Sequence, residues 1–178
     1  LRKKNIVWVG VFEERKKLDF FLKVIENWDF AKSLSSIDIF GTHTKKNNFI
    51  RFNQKVIEKK FEKNNINLKF HGNVTQKTLF QKLKSSSVMA FTSLREGTPL
   101  SIIEAYSLGV KVVCFKTSGM VDMLEGDLFV NLEGNECELI KNFREKIREA
   151  FMKKTQQKIT FYFSEEYRNN FIKNIYEL

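Results

Sequence analysis

"VMAFTSLREGTPLSIIEAYSLGVKVVCFK", residues 88–116, holds a strand, a helix and a second strand in one stretch. The apolar run at 88–93 ends in Ser93, a helical pattern follows at 99–108 and stops before Gly109, and a second apolar run occupies 111–116. Strands that are apolar without alternation are buried on both faces, the condition of a parallel sheet covered by helices on each side. A short β-α-β link of this kind also fixes the hand of the crossover as right-handed.

The same alternation extends in both directions. Upstream, the sequence predicts a strand at 5–12, a helix over 16–28 with apolar positions 18, 21, 22, 24, 25 and 28, a strand at 36–41, a basic helix at 48–64, a strand at 66–72 and a helix at 76–86. Downstream it predicts a strand at 127–132, a long helix at 135–154 and a last helix near 164–177. The fold expected is α/β: a Rossmann-like parallel sheet with helices on both faces, with residues 1–178 forming one domain. No internal repeat, low-complexity tract or Pro/Gly-rich linker interrupts it, and the single proline is Pro99.

At 178 residues with 42% hydrophobic and 29% charged side chains, the chain can bury a substantial core, and no apolar run reaches the roughly 20 residues that span a bilayer. Thirty-one Lys and Arg against 21 Asp and Glu leave a net charge of +10, which favours anionic partners. The basic residues are scattered, as expected of a solvated surface, and no interleaved aromatic and basic stripe points to nucleic acid. Cys114 lies in an apolar run and Cys137 among acids, so both read as free thiols in a reducing cytosol. The chain enters a strand within four residues of Leu1, without an initiator methionine or leader, and is expected to be a piece of a longer protein.

Sheets of this kind bind ligands at the carboxyl ends of their strands, where helix N-termini offer free N–H groups to anions. Three such ends carry suitable residues: Gly10 to Lys17, Gly41 to Thr44 and Ser93 to Pro99. No G-x-G-x-x-G follows the first strand, which argues against an ordinary NAD or FAD domain. At the third end Thr98 reads as a helix N-cap, Pro99 as the first helical residue and Gly97 as the turn before it. Glu104 then falls between Leu100 and Leu108 on a helix with no other charge. Such a carboxylate needs either a basic neighbour or a ligand that brings donors, and a vicinal diol matches its two oxygens.

Glu96-Gly97-Thr98-Pro99 followed by Glu104-Ala105 resembles the E-G-x-P-x4-E-A signature of retaining glycosyltransferases of the GT-B fold, the group 1 or family 4 type. "FHGNV" (70–74), "VMAFTS" (88–93) and "SLGVKVVCFKTSGMVDML" (107–124) are similar to the neighbouring segments of that family. The resemblance covers essentially the whole chain as the C-terminal, donor-binding half of a two-domain enzyme, with the N-terminal acceptor domain absent from this chain. It implies that Glu104 accepts ribose hydroxyls and Glu96 contacts donor-sugar hydroxyls. It places the backbone of Gly97, Thr98, Pro99 and Leu100 against the diphosphate and sugar, and that of Val74 against the base. Near the first strand the family carries G-R-x4-K, whose cations bind the diphosphate. Gly10 and Lys16 match, whereas Val11 replaces the arginine, for which Arg15 or Lys17 can substitute. Two smaller departures are Gly109-Val110-Lys111-Val112 in place of G-x-P-V, and Asp122 where Glu is common.

The implied activity is transfer of a hexose from a UDP-, GDP- or ADP-sugar, with retention, to a glycan or lipid-linked acceptor. Glu96 and Lys16 are the expected catalytic residues, and neither a metal nor a cofactor is expected, there being no D-x-D pair. The setting implied is bacterial polysaccharide assembly in the cytoplasm, at the inner membrane surface if the basic helix 48–64 touches acidic lipid. The alternatives are a non-catalytic nucleotide-sugar-binding module, a nucleic-acid-binding domain, or a sugar-nucleotide epimerase of the same architecture. His71 and His43 read as structural residues rather than catalysts.

Overall fold

The computed structural model describes residues 4–43, 53–97, 99–126, 128–153 and 158–159. Its strands are β1 (Asn5–Val9), β2 (Ser36–Phe40), β3 (Leu68–Gly72), β4 (Val88–Phe91), β5 (Lys111–Phe115), β6 (Leu124–Glu125), β7 (Phe129–Val130) and β8 (Lys158–Ile159). The α-helices are α1 (Leu18–Ile25), α2 (Asp29–Lys32), α3 (Gln54–Lys63), α4 (Gln76–Ser85), α5 (Leu100–Ser107), α6 (Ser118–Val121) and α7 (Glu136–Met152). Six strands make one parallel sheet in the order β3-β2-β1-β4-β5-β7, and β6 pairs antiparallel with β8 beside it.

Each central strand divides its side chains between two cores because successive residues point to opposite faces. Ile6 and Trp8 of β1, Val88 and Ala90 of β4, and Val113 and Phe115 of β5 face one core, which α1 and α7 close with Phe20, Phe21 and Phe143. Val7, Met89, Phe91, Val112 and Cys114 face the other, closed by Phe80 and Leu83 of α4 and by Ile102, Ile103 and Ala105 of α5. The burial of Cys114 pushes its thiol up to about 12, so it behaves as a small apolar group, and both cysteines are free.

Local signals set the helix ends. Asn135 and Glu138 form a reciprocal capping box at the start of α7. At the end of α5 the Gly109 N–H donates to the Tyr106 carbonyl and the Val110 N–H to the Ala105 carbonyl, with Gly109 at φ +72°. That pair of bonds is the Schellman stop, which a side chain at the left-handed position disfavours. Outer strands depart most from the sequence reading. The run 127–132 shrinks to Phe129–Val130, since only Cys114 and Phe115 of β5 offer it partners. The predicted helix 16–28 divides into a 3₁₀ turn (Glu14–Lys16) and α1, with α2 following Trp28. The predicted helix at 164–177 and the first part of 48–64 lie outside the described residues.

On the edge strand β3, Glu58 of α3 accepts the Phe70 N–H at 2.7 Å. No helix of the described residues is long and apolar enough to cross a membrane.

Candidate functional site

The chain lays β2 and β3 on one side of β1, then returns to place β4, β5 and β7 on the other. The strand order therefore reverses at the β1–β4 boundary, the place where open α/β sheets bind ligands, because the chain leaves those two strands towards opposite faces of the sheet. The β1 loop turns through Glu14–Lys16 and reaches α1 through Lys17 in the left-handed conformation, φ 52°. It is stitched to the β4 loop. The buried Trp8 Nε1–H donates to Thr92 Oγ1 at 3.0 Å, and that hydroxyl lies 2.7 Å from the Lys16 carbonyl and 3.1 Å from that of Lys17. The Leu94 N–H donates to the Arg15 carbonyl at 2.9 Å. The eight-residue connection 10–17 is thus held by groups from two strands, which fixes where the Arg15 and Lys16 side chains start.

Those two side chains converge on Glu96. Its Oε1 accepts from Arg15 Nη1 at 2.6 Å, Lys16 Nζ at 2.5 Å and Ser93 Oγ at 2.6 Å. Arg15 is steadied by Glu13 through Nε at 3.0 Å, and Lys16 Nζ also lies 5.5 Å from the centre of the Phe91 ring. The Lys16 and Glu96 side chains are only 12% and 13% exposed, so these contacts are screened far less than a surface ion pair. Burial raises the Glu96 carboxyl pKa, but Lys16, Ser93 and Arg15 outweigh it and hold the group below its ordinary value. The loop is backed by α6: a Cβ on Gly119 would come within 2.7 Å of the Glu96 carbonyl oxygen. A Cβ on Gly97, by contrast, would meet nothing within 4 Å, so its backbone borders open space.

The second acid lies on α5. Glu104 is 9% exposed and its Oε1 accepts from Gln76 Nε2 at 3.3 Å. Burial pushes its carboxyl above the ordinary value, with the Gln76 bond pulling the other way. Gln76 opens α4, two residues after Val74, and Val74 lines a cavity of about 440 Å³ at the carboxyl ends of β1, β2 and β3. Gly10, Val11, Phe40, Gly41 and Leu79 complete most of that wall. Gly41 has φ +129° and its hypothetical Cβ would overlap the Gly10 carbonyl, so only glycine lets the β1 and β2 loops close this tightly. At the front of α5 the first-turn N–H groups, those of Leu100 and Ser101, have no acceptor within the helix, and no side chain caps them. Their dipoles favour an anion there.

The family model for group 1 glycosyl transferases matches residues 3–150. The chain belongs to the group 1 glycosyltransferases. Among solved structures, this glycosyltransferase domain is similar to the pneumococcal O-GlcNAc transferase GtfA in complex with UDP and GlcNAc, with a TM-score of 0.67 and 18% identity over 84% of this chain and 29% of that one. S. aureus TarM in complex with UDP gives 0.62 and 20%, covering 99% and 36%. Anabaena HepE in complex with UDP-glucose gives 0.62 and 15%, covering 84% and 39%. The chain thus spans roughly a third of these relatives, and the likeness is one of GT-B fold. A search of the curated proteins found no match.

Most residues singled out in the sequence gather at the carboxyl end of the sheet. Gly10 and Lys16 lie on the β1 loop, Glu96 and Gly97 on the β4 loop, and Val74 on the cavity wall. Arg15 brings a guanidinium to Glu96, whereas Val11, at the family's arginine position, faces the 440 Å³ cavity. Pro99 is corrected: with φ −75° and ψ 104° it is the extended N-cap, and the helix starts at Leu100. Gly97 is corrected too, since its φ is not positive and the turn does not require glycine. Thr98 lies outside the described residues. Glu104 has an amide rather than a basic partner.

Sequence reasoning missed Thr92, Trp8 and Gln76. A polar pair, Thr92-Ser93, closing an apolar strand was the available signal for the first. His71 is satisfied structurally, its Nε2 lying 2.6 Å from Asp38 Oδ1 and its ring stacked on Phe40 at 4.6 Å. A groove of about 630 Å³ between α3 and β3 lies beyond that histidine on the outer edge of the sheet, apart from the Glu96 cluster.

Proposed function

We propose that this domain binds a nucleoside diphosphate sugar and, joined to an N-terminal acceptor domain, transfers the sugar with retention to a glycan or lipid-linked acceptor. The observation that carries the reading is Glu104, a buried carboxylate on a helix whose start has no side-chain cap, and whose partner among the described residues is one amide hydrogen bond at 3.3 Å from Gln76, at the head of the helix that follows the cavity-lining Val74. A ribose diol supplies the two donors such a carboxylate lacks, and the cost of its burial is offset only once they arrive. The solved relatives carrying UDP or UDP-glucose support the donor class.

In this reading the base enters the cavity at Val74 and the ribose meets Glu104. The diphosphate lies between the α5 N-terminus, through Leu100 N–H, and the cations Lys16 and Arg15. The C1–O bond of the donor breaks with its electron pair leaving on the β-phosphate, the acceptor oxygen bonds to C1, and the acceptor proton leaves with the diphosphate. Lys16 and Arg15 stabilise the charge that develops on that leaving group. Two cations and backbone amides suffice for a diphosphate, so no metal is invoked. Glu96, through sugar hydroxyls, orients the donor.

A second reading, a nucleotide-sugar-binding module without transfer, is favoured by Val11 and by the engagement of both cations with Glu96. Titration calorimetry with UDP, GDP and ADP tests the donor site. Saturable binding by one of them that Glu104→Ala weakens at least tenfold is expected, and binding indifferent to Glu104 refutes the assignment. Turnover of the corresponding sugar nucleotide by the chain joined to an acceptor domain separates transferase from module.

A further inference from the structure

Three donors converging on one carboxylate oxygen describe an anion hole with an occupant already in it. Arg15 Nη1, Lys16 Nζ and Ser93 Oγ all lie 2.5–2.6 Å from Glu96 Oε1. The hole is built rather than incidental. Ser93 and Thr92 are 2% and 1% exposed, Thr92 fixes the carbonyls of Lys16 and Lys17, and Gly119 leaves no slack behind the Glu96 backbone. Phosphoryl oxygens accept from guanidinium, ammonium and hydroxyl donors at these same distances. Beside Glu96, moreover, a Cβ on Gly97 would meet nothing within 4 Å, so the backbone next to the carboxylate borders open space.

We infer that Glu96 Oε1 occupies, in the donor-free protein, the place of a donor phosphoryl oxygen, so that Glu96 is an internal competitor for the diphosphate. This inference rests on the donor-site reading above and adds a cost to it. Before the diphosphate can take Arg15, Lys16 and Ser93, Glu96 gives them up and swings towards the open side, where it is released to meet sugar hydroxyls. A bare nucleoside diphosphate is therefore penalised relative to the sugar nucleotide, because only the latter offers the displaced carboxylate new donors. The same carboxylate keeps two cations from facing one another uncompensated when the site is empty. Ser93, on this account, is a diphosphate ligand as well as a partner of Glu96.

The test is calorimetry on the full chain with inorganic pyrophosphate, UDP, GDP and ADP, comparing the parent with Glu96→Ala and Glu96→Gln. Thermal melts check that each variant folds, and Glu96→Gln keeps the shape if Glu96→Ala does not. Pyrophosphate and the preferred nucleoside diphosphate are expected to bind about tenfold more tightly once the charge is gone, the equivalent of one charge-assisted hydrogen bond that no longer has to be broken. The sugar nucleotide should gain less than its diphosphate does. Nucleotide binding that is unchanged or weakened in both variants overturns the inference and leaves the donor-site reading standing. Tighter pyrophosphate with no nucleoside diphosphate bound by any protein shows only that Glu96 shields an anion hole, and overturns the donor site together with the inference that rests on it. Failure of every ligand with every protein overturns both.

Discussion

Replacing Thr92 with valine keeps the shape of the side chain and removes one hydroxyl from the buried relay between Trp8 and the Lys16 turn. With it go the bond from Trp8 Nε1 at 3.0 Å and the donation shared between the Lys16 carbonyl at 2.7 Å and the Lys17 carbonyl at 3.1 Å. Trp8 is 2% exposed and Thr92 1%, so water does not replace the lost partner and an indole N–H is left buried and unsatisfied. That costs about 1–3 kcal/mol, or a fall of roughly 3–10 °C in melting temperature for a chain of this size. Trp8→Phe removes the stranded donor. Its own packing loss is measured separately, and the double variant should be more stable than the sum of the two single losses by about 1–2 kcal/mol. Denaturant unfolding of the four proteins gives the coupling. Because Thr92 also positions the turn that carries Lys16, nucleoside diphosphate affinity should fall in Thr92→Val and recover in Thr92→Ser. An unchanged midpoint in Thr92→Val, or strict additivity in the cycle, refutes the relay.

Glu104→Gln should stabilise the protein at neutral pH. Burial raises the folded-state value of this carboxyl, so its contribution is full below the unfolded value and is lost as pH rises through the folded one; melts across pH 4–8 should show that slope in the parent and not in the variant. A ligand that donates to Glu104 favours the carboxylate, so binding in that window should release a proton, detectable by calorimetry in buffers of different ionisation enthalpy. Gly119→Ala places a Cβ 2.7 Å from the Glu96 carbonyl and should cost about 1–3 kcal/mol while weakening nucleotide binding, whereas Gly97→Ala meets open space and should leave the melting temperature alone. Phe143→Ala empties the centre of the core formed with Phe20 and Phe115, at about 3–5 kcal/mol by urea unfolding, with no direct effect on the site.

The β-α-β alternation was legible because strands and helices write different periods into the chain, and the interior strands β1, β2, β4 and β5 follow it closely. What the sequence could not state is how long a strand stays paired, since that belongs to its neighbour. Hence 127–132 contracts to two residues beside β5, and the short β6–β8 pairing, which joins Leu124 to Ile159 across 35 positions, leaves no local trace. Glu104 was legible from its place on an otherwise uncharged helix, and Glu96 from the resemblance of the E-G-x-P-x4-E-A stretch. Their partners were not: Glu96 meets Arg15 across 81 positions, and Gln76 meets Glu104 across 28. Pairings of that span are decided by the strand order alone, as is the meeting of Trp8 and Thr92.

The bond from the Phe70 amide to Glu58 has a bearing on how these molecules meet one another. An outermost strand whose amides point into solvent is a template on which a second polypeptide can crystallise its own backbone. Here a carboxylate from α3 plugs one such position on β3, and the opposite margin, β7, is two residues long. Among the described residues, neither border of the sheet therefore leaves a long uninterrupted run for foreign strands to copy.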